Sequence, residues 1–247
     1  PTKKKEQGGE NFFKTYKELF TCRPLLIIII IALLLLLGSL LGQTMNTYLY
    51  KDYFNNTKIL SLVSLASMLP MILCAPFATK LSDNFGKNEV CAAGMMVASA
   101  VFFILWILKL KNPMIFILMT VITGIGMGLL NMLIWAFIGD VIDYQEIRTN
   151  ERIDGAVYSL NSFARKVGQA LAGGIGGYTL TLIGYVSSTT GVEQTESVKI
   201  GIYNCATIVP ALCYFAIFLL LLFVYPLSKK QVDENVRILA EKRALAK

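Results

Sequence analysis

Residues 139–185 read GDVIDYQEIRTNERIDG and then AVYSLNSFARKVGQALAGGIGGYTLTLIGY. The first part packs five acids and two arginines (Asp140, Asp143, Glu146, Glu151, Asp154; Arg148, Arg152) into a short connector. The second part is a long apolar helix with Arg165 and Lys166 set inside it, and long apolar spans lie on both sides of the block. A charged connector feeding a helix that takes charge into a membrane points to a transport path rather than to a soluble catalytic site.

Within that helix, Ser159, Ser162, Lys166, Gln169 and Gly173 follow 3,4,3,4 spacing. Such spacing stacks side chains on one helical face, so the five form a polar stripe over nearly four turns. Two readings of Arg165 and Lys166 stand side by side. Residues 167–186 alone approach a membrane's thickness, so the cations could mark a boundary and snorkel toward the headgroups. A lipid-facing boundary has no need of a polar stripe, whereas a water-filled cavity does. Ionisable groups at depth cost roughly 2.5–3.5 kcal/mol or more unless they face such a cavity or a partner.

Composition agrees with a membrane protein. Of 247 residues, 55% are hydrophobic and 16% charged. Histidine is absent, which removes histidine-based acid–base chemistry, metal ligation and haem ligation. The five cysteines (Cys22, Cys74, Cys91, Cys205, Cys213) form no CxxC and read as free thiols. The net charge of +7 sits in flanking segments, as the positive-inside rule expects, so no nucleic-acid partner is implied. The chain opens on Pro1 without a signal peptide and reads as a fragment or a processed chain.

Taken in order, residues 1–23 are a polar, basic lead with a short amphipathic helix around Phe12–Phe20. Residues 24–226 hold six spans, at about 25–50, 59–79, 90–108, 114–138, 155–185 and 201–225. Gly38 and Gly42 form a GxxxG that permits close helix packing in the first span. Pro70, Pro76 and Pro210 sit inside spans, where neighbouring helices can re-satisfy freed backbone groups. In the fourth span Gly124, Gly128, Asn131 and Trp135 share a face. Residues 227–247 read as a cytoplasmic amphipathic helix with Val232, Val236 and Leu239 at helical spacing. Six spans put both ends on one side, and that side carries 16 Lys and Arg against 5 on the other. Both termini are therefore predicted to be cytoplasmic.

Two further clusters bear on chemistry. Asp140, Asp143 and Glu146 are spaced 3 and 3, so one helical stretch would gather them. They could hold Mg²⁺ and a pyrophosphate in a membrane transferase, could latch to Arg148, Arg152 or neighbouring basic residues, or could simply be a solvated loop. A magnesium site needs a second acidic cluster, and Asp83 stands alone. Asp83-Asn84-Phe85-Gly86-Lys87 joins the second and third spans, with glycine turning the chain while the acid and base bridge helix ends.

The central block resembles the glycoside–pentoside–hexuronide:cation symporter family, melibiose-permease-like members of the major facilitator superfamily. The matching residues are Asp140, Val141, Asp143, Tyr144, Glu146, Arg152, Gly155, Ser162-Phe163-Ala164-Arg165-Lys166, Gly168-Gln169-Ala170 and Ile183-Gly184-Tyr185. Arg23-Pro24, Tyr225-Pro226-Leu227-Ser228 and the Asp83–Lys87 connector also match, so the likeness covers essentially the whole chain. The family has glycine at the positions of Gln145 and Asn150 and tryptophan at that of Asn131, with Trp135 one turn on as its expected replacement.

The resemblance implies an all-α membrane protein whose six transmembrane helices form the C-terminal half of a major facilitator fold. Residues 1–23 then correspond to the linker between halves, and the missing N-terminal six-helix half holds most of the acids for the coupling cation, Na⁺ or H⁺. It implies sugar or glycoside binding at Lys166, Asn161, Ser162, Arg165, Asn131 and Trp135. On that transporter reading, Asp140, Asp143, Glu146, Arg152, Asp83 and Lys87 are expected to form gating ion pairs. No metal, cofactor or catalytic residue is expected, and the location is a cell membrane, inner or plasma, of a bacterium. The rival classes are the Mg²⁺-dependent transferase on Asp140, Asp143 and Glu146, and a non-transporting membrane partner or sensor.

Overall fold

A computed structural model describes residues 19–186 and 193–245, whose regular elements are all helices, with no strand among them. The helices are α1 (Arg23–Tyr48), α2 (Leu60–Phe85), α3 (Lys87–Leu108), α4 (Pro113–Thr149), α5 (Asp154–Leu182), α6 (Glu196–Leu219) and α7 (Lys229–Leu245). Wider turns extend α1 over Leu49–Tyr53 and α6 over Leu220–Val224. The amphipathic lead helix lies outside the described residues except for Leu19 and Phe20, and residues 187–192 of the α5–α6 loop lie outside them too.

Among the described residues, five helices are long and apolar enough to cross a membrane: α1, α2, α3, α4 and α6. The sixth, α5, has 29 residues, about 43 Å at 1.5 Å per residue, but its polar stripe and two cations dilute its apolar character. The chain is thus a multi-pass membrane protein.

The packing runs α5–α1–α6–α3–α4–α2, with α1 also touching α4. Four helices (α1, α3, α4, α6) share the core, while α5 and α2 sit at opposite ends, each held chiefly by one neighbour. Small residues make the seams. Gly38 and Gly42 of α1 lie under Tyr214 and Pro210 of α6. Gly94 of α3 and Gly126 of α4 bring two backbones together, so that a Cβ on Gly94 would sit 2.9 Å from the Gly126 Cα. Gly124 receives the Pro70 ring of α2. At one end Tyr50, Phe54 and Tyr203 each meet Phe116 edge to face, and Tyr203 donates to the Leu105 carbonyl at 2.8 Å while accepting from the Leu110 N–H at 3.0 Å. That closes the tight α3–α4 connection, which Asn112 caps by accepting from the Met114 N–H at 2.9 Å.

Two turns depart from the sequence reading. The residues at 139–149 are not a connector: α4 continues through them for 37 residues, about 55 Å. That length exceeds a hydrocarbon core of about 30 Å, so its last turns project beyond the membrane with the acids aboard. Only residues 150–153 connect α4 to α5. Asn150 ends α4 with φ of 55°, a left-handed conformation. Asparagine tolerates that region better than most side chains, which accounts for its standing where the resembled family has glycine. Gln145 replaces the other glycine inside α4, buried and with neither amide atom partnered.

Candidate functional site

α5 divides into faces. Val157, Asn161, Gly168, Ala172 and Gly176 are buried. Gly168 lets Leu33 and Leu36 of α1 approach, and Gly176 faces Thr44. The stripe Ser159, Ser162, Lys166, Gln169 and Gly173 is exposed along its whole length, turned away from the rest of the bundle. Asn161 does not join it: it is 1% exposed and both its amide atoms lack a partner. In this chain Asn161 thus lies apart from the exposed stripe it was expected to join. One residue is a 100° rotation, enough to put Asn161 behind the helix while Ser162 faces out.

α4 supplies the adjoining surface. Asn131 and Trp135, one turn apart, are both exposed, and Asn131 donates its amide to the Met127 carbonyl at 3.0 Å. The Arg165 guanidinium lies 5.9 Å from the Trp135 ring centroid, and Trp135 in turn meets Tyr158 of α5 at 6.3 Å and 31°. Thus Trp135, Tyr158 and the half-buried Arg165 meet across α4 and α5, and Asn131, Ser162 and Lys166 are exposed on the same two helices. Tyr158 was missed in the sequence, although its offsets of four from Ser162 and seven from Arg165 place it on their side of the helix.

The second cluster sits where α4 projects. Lys87 Nζ reaches both oxygens of Asp140, at 2.7 and 2.6 Å. Arg152 bridges Asp143 at 3.0 Å, Glu146 at 2.7 Å and Asp154 at 3.0 Å. Hydrogen bonds to Glu146 first, then to Asp154, raise the pKa of the Arg152 guanidinium still further, so it stays charged at every working pH. The tail helix joins in. Arg243 reaches Glu146 at 3.0 Å and Lys242 donates to the Asn150 side chain at 2.8 Å. At its other end Lys229 donates to the backbone carbonyls of Asp83 and Asn84, and Asn88 donates to the Leu227 carbonyl at 2.8 Å. Within the proposed gating set, Lys87 pairs with Asp140, and Asp83 offers its backbone carbonyl to Lys229. A cavity of about 290 Å³ lies between α7 and these helix ends, lined by Asp83, Lys87, Asp140, Lys229 and Asp233 among others.

This arrangement disfavours magnesium chemistry on Asp140, Asp143 and Glu146. Each carboxylate is already neutralised by Lys87, Arg152 or Arg243, so a cation would have to displace an ammonium or guanidinium from every one. No group of three His, Cys, Asp or Glu among the described residues has metal-binding geometry.

The family described as "MFS/sugar transport protein" matches residues 1–229. A protein of Bacillus subtilis (strain 168) named "Uncharacterized symporter YjmB" is 28% identical over 226 residues, 92% of this chain and 48% of that protein. The "Glucuronide carrier protein homolog" of Escherichia coli (strain K12) is 28% identical over 215 residues, 87% of this chain and 46% of that protein. The chain spans about half the length of these curated relatives. With six long helices, a polar wall on the fifth and a match over nearly all its length, the chain belongs to the MFS/sugar transport protein family, as its resemblance to the glycoside–pentoside–hexuronide:cation symporters implies.

Proposed function

We propose that this chain is the C-terminal six-helix half of a secondary transporter that couples sugar movement to Na⁺ or H⁺ by alternating access. The observation that carries the reading is the exposure of Asn131, Trp135, Ser162, Lys166 and Gln169, together with the half-buried Arg165, on a bundle whose spans are otherwise free of charge. Water and substrate are the natural neighbours of such residues. The relatives, one named a symporter and one a glucuronide carrier homologue, support sugar-type cargo, and their double length supports an upstream half.

The upstream six helices would pack on α2 and α5. α2 leaves Leu65, Met68, Ile72 and Phe77 more than half exposed, although it is a membrane-length helix at the end of the bundle. The substrate then binds near the midplane between halves. Lys166 hydrogen-bonds the sugar and senses the coupling cation held on acids of the upstream half. Asn131 and Ser162 hydrogen-bond hydroxyls, and Trp135 stacks on the ring. The pairs around Asp140, Asp143, Glu146 and Arg152 latch the cytoplasmic gate, with both termini in the cytoplasm of a cell membrane. The protein acts as a carrier and not as an enzyme.

The test is uptake into proteoliposomes under an imposed Na⁺ or H⁺ gradient. The full-length protein accumulates sugar, and residues 1–247 alone do not. Gradient-driven accumulation by the isolated chain overturns the half-transporter reading.

A further inference from the structure

α1 carries a polar pair of its own. Gln43 and Thr47 stand one turn apart in the half of α1 farther from Arg23, and both are exposed. Apart from them, α1 exposes only Arg23 at its start and Ile30. Neither Gln43 nor Thr47 hydrogen-bonds another described residue. A side-chain amide at membrane depth costs free energy unless water or a polar partner meets it.

The contacts of α1 show where the pair points. Leu33 and Leu36 meet Gly168 of α5, Thr44 meets Gly176, and Gly38 and Gly42 lie under Tyr214 and Pro210 of α6. At 100° per residue these contacts leave two flanks of α1 free. One carries Ile30, Leu34 and Leu37, an apolar surface suited to lipid. The other carries Gln43 and Thr47, and Tyr50 continues it. Tyr50 is buried and meets Phe116 of α4 with ring centroids 6.2 Å apart. Nearer the start of α1, Leu25 and Ala32 on this flank are buried too. Gln43 and Thr47 thus occupy an opening on the α4 side of α1, between two closed contacts.

The polar stripe of α5 borders the same opening. Tyr158 and Arg165, which meet Trp135 of α4, lie between the buried face of α5 and its stripe. Gln43, one residue before Thr44, stands level with Ile175, hence roughly 13 Å along the axis from Lys166 at 1.5 Å per residue. Gln169 and Gly173 lie between, and a Cβ on Gly173 would meet no described atom within 4 Å. That separation exceeds one pyranose ring, so a ring at Lys166 leaves room for a second group at Gln43. A carboxamide donates from nitrogen and accepts at oxygen, which matches two adjacent hydroxyls, and the threonine hydroxyl adds a further bond.

Building on the transport reading of this half, we infer that Gln43 and Thr47 form a second cargo subsite on α1, which hydrogen-bonds adjacent hydroxyls on the part of the cargo farthest from Lys166 and so sets the length of cargo the transporter prefers.

The experiment uses the full-length protein in nanodiscs and starts with access. A water-soluble maleimide is expected to label Gln43→Cys and Thr47→Cys but not Leu34→Cys on the apolar flank. Failure of both Gln43→Cys and Thr47→Cys to label shows that the upstream half covers the pair, and overturns the inference. Binding is then measured for methyl β-D-glucoside, methyl β-D-glucuronide, and the two disaccharides that add a glucosyl unit at O4 of each. In the series that the wild type binds, the two-ring ligand is expected to bind about three- to tenfold more tightly than its one-ring partner. Gln43→Met and Thr47→Val keep the shape and remove the hydrogen bonds. Each is expected to bring that ratio toward parity with one-ring affinity unchanged. Parity in the wild type, or equal loss of both ligands in Gln43→Met, overturns the subsite and leaves the transporter reading intact. A full-length protein that neither binds nor transports any of the four overturns both readings.

Discussion

Lys87 and Asp140 meet at 2.6 Å across 53 positions of sequence, joining the α2–α3 turn to the projecting end of α4. Their side chains are 27% and 12% exposed, so the pair is partly desolvated. A partly buried carboxylate opposite a single ammonium is stable only while that partner stays. Asp140→Asn is expected to destabilise the full-length protein by about 1–3 kcal/mol, read as a lower melting temperature in detergent. Lys87→Ala should cost a similar amount, and the double mutant should cost less than the sum. Additive losses would show that the two residues do not act on each other.

The α3–α4 seam makes a sharper test of packing. A Cβ on Gly126 would collide with the Gly94 backbone, and backbone cannot yield as a side-chain end can. Gly126→Ala is expected to lower stability by about 1–3 kcal/mol. Gly139→Ala, on the same helix with open space around its Cβ, should be neutral or stabilise by up to about 1 kcal/mol. Equal melting temperatures for the two variants would contradict this seam.

Lys166 lies twelve residues into α5, about 18 Å along its axis from Asp154, which is deep for snorkelling. Lys166→Ala should abolish sugar accumulation by the full-length protein with near-normal membrane expression. Lys166→Arg should also fail, because a planar fork does not replace a compact ammonium. Full activity of Lys166→Arg with only mild impairment of Lys166→Ala would return Lys166 to a membrane boundary.

Membrane sidedness can be read with cysteines. Asn55 and Glu151 are exposed at opposite ends of the bundle, after α1 and after α4. An impermeant maleimide should label Asn55→Cys in intact cells and Glu151→Cys only after permeabilisation. The native thiols give little background: Cys22, Cys74, Cys91 and Cys213 are buried, Cys205 is half-buried, and burial raises the pKa of the Cys22 thiol. The reverse pattern would invert the topology.

The sequence by itself determined that this chain crosses a membrane in helices. Runs of about twenty apolar residues need no tertiary partner to specify a helix in lipid, because every backbone group is satisfied within the segment. It also determined that α5 is amphipathic, since a 3,4,3,4 repeat is a property of the helix alone. Only the tertiary structure decided what each face meets. Spacing alone does not say that Asn161 turns toward α1 while Tyr158 turns toward Trp135, because the packing of α5 against α1 sets that rotation. Nor does local order choose ionic partners. Lys87 passes over Asp83, four residues away, for Asp140, and Glu146 is shared by Arg152 and by Arg243 of the tail helix, because the helix ends that carry these charges converge only once the bundle is packed.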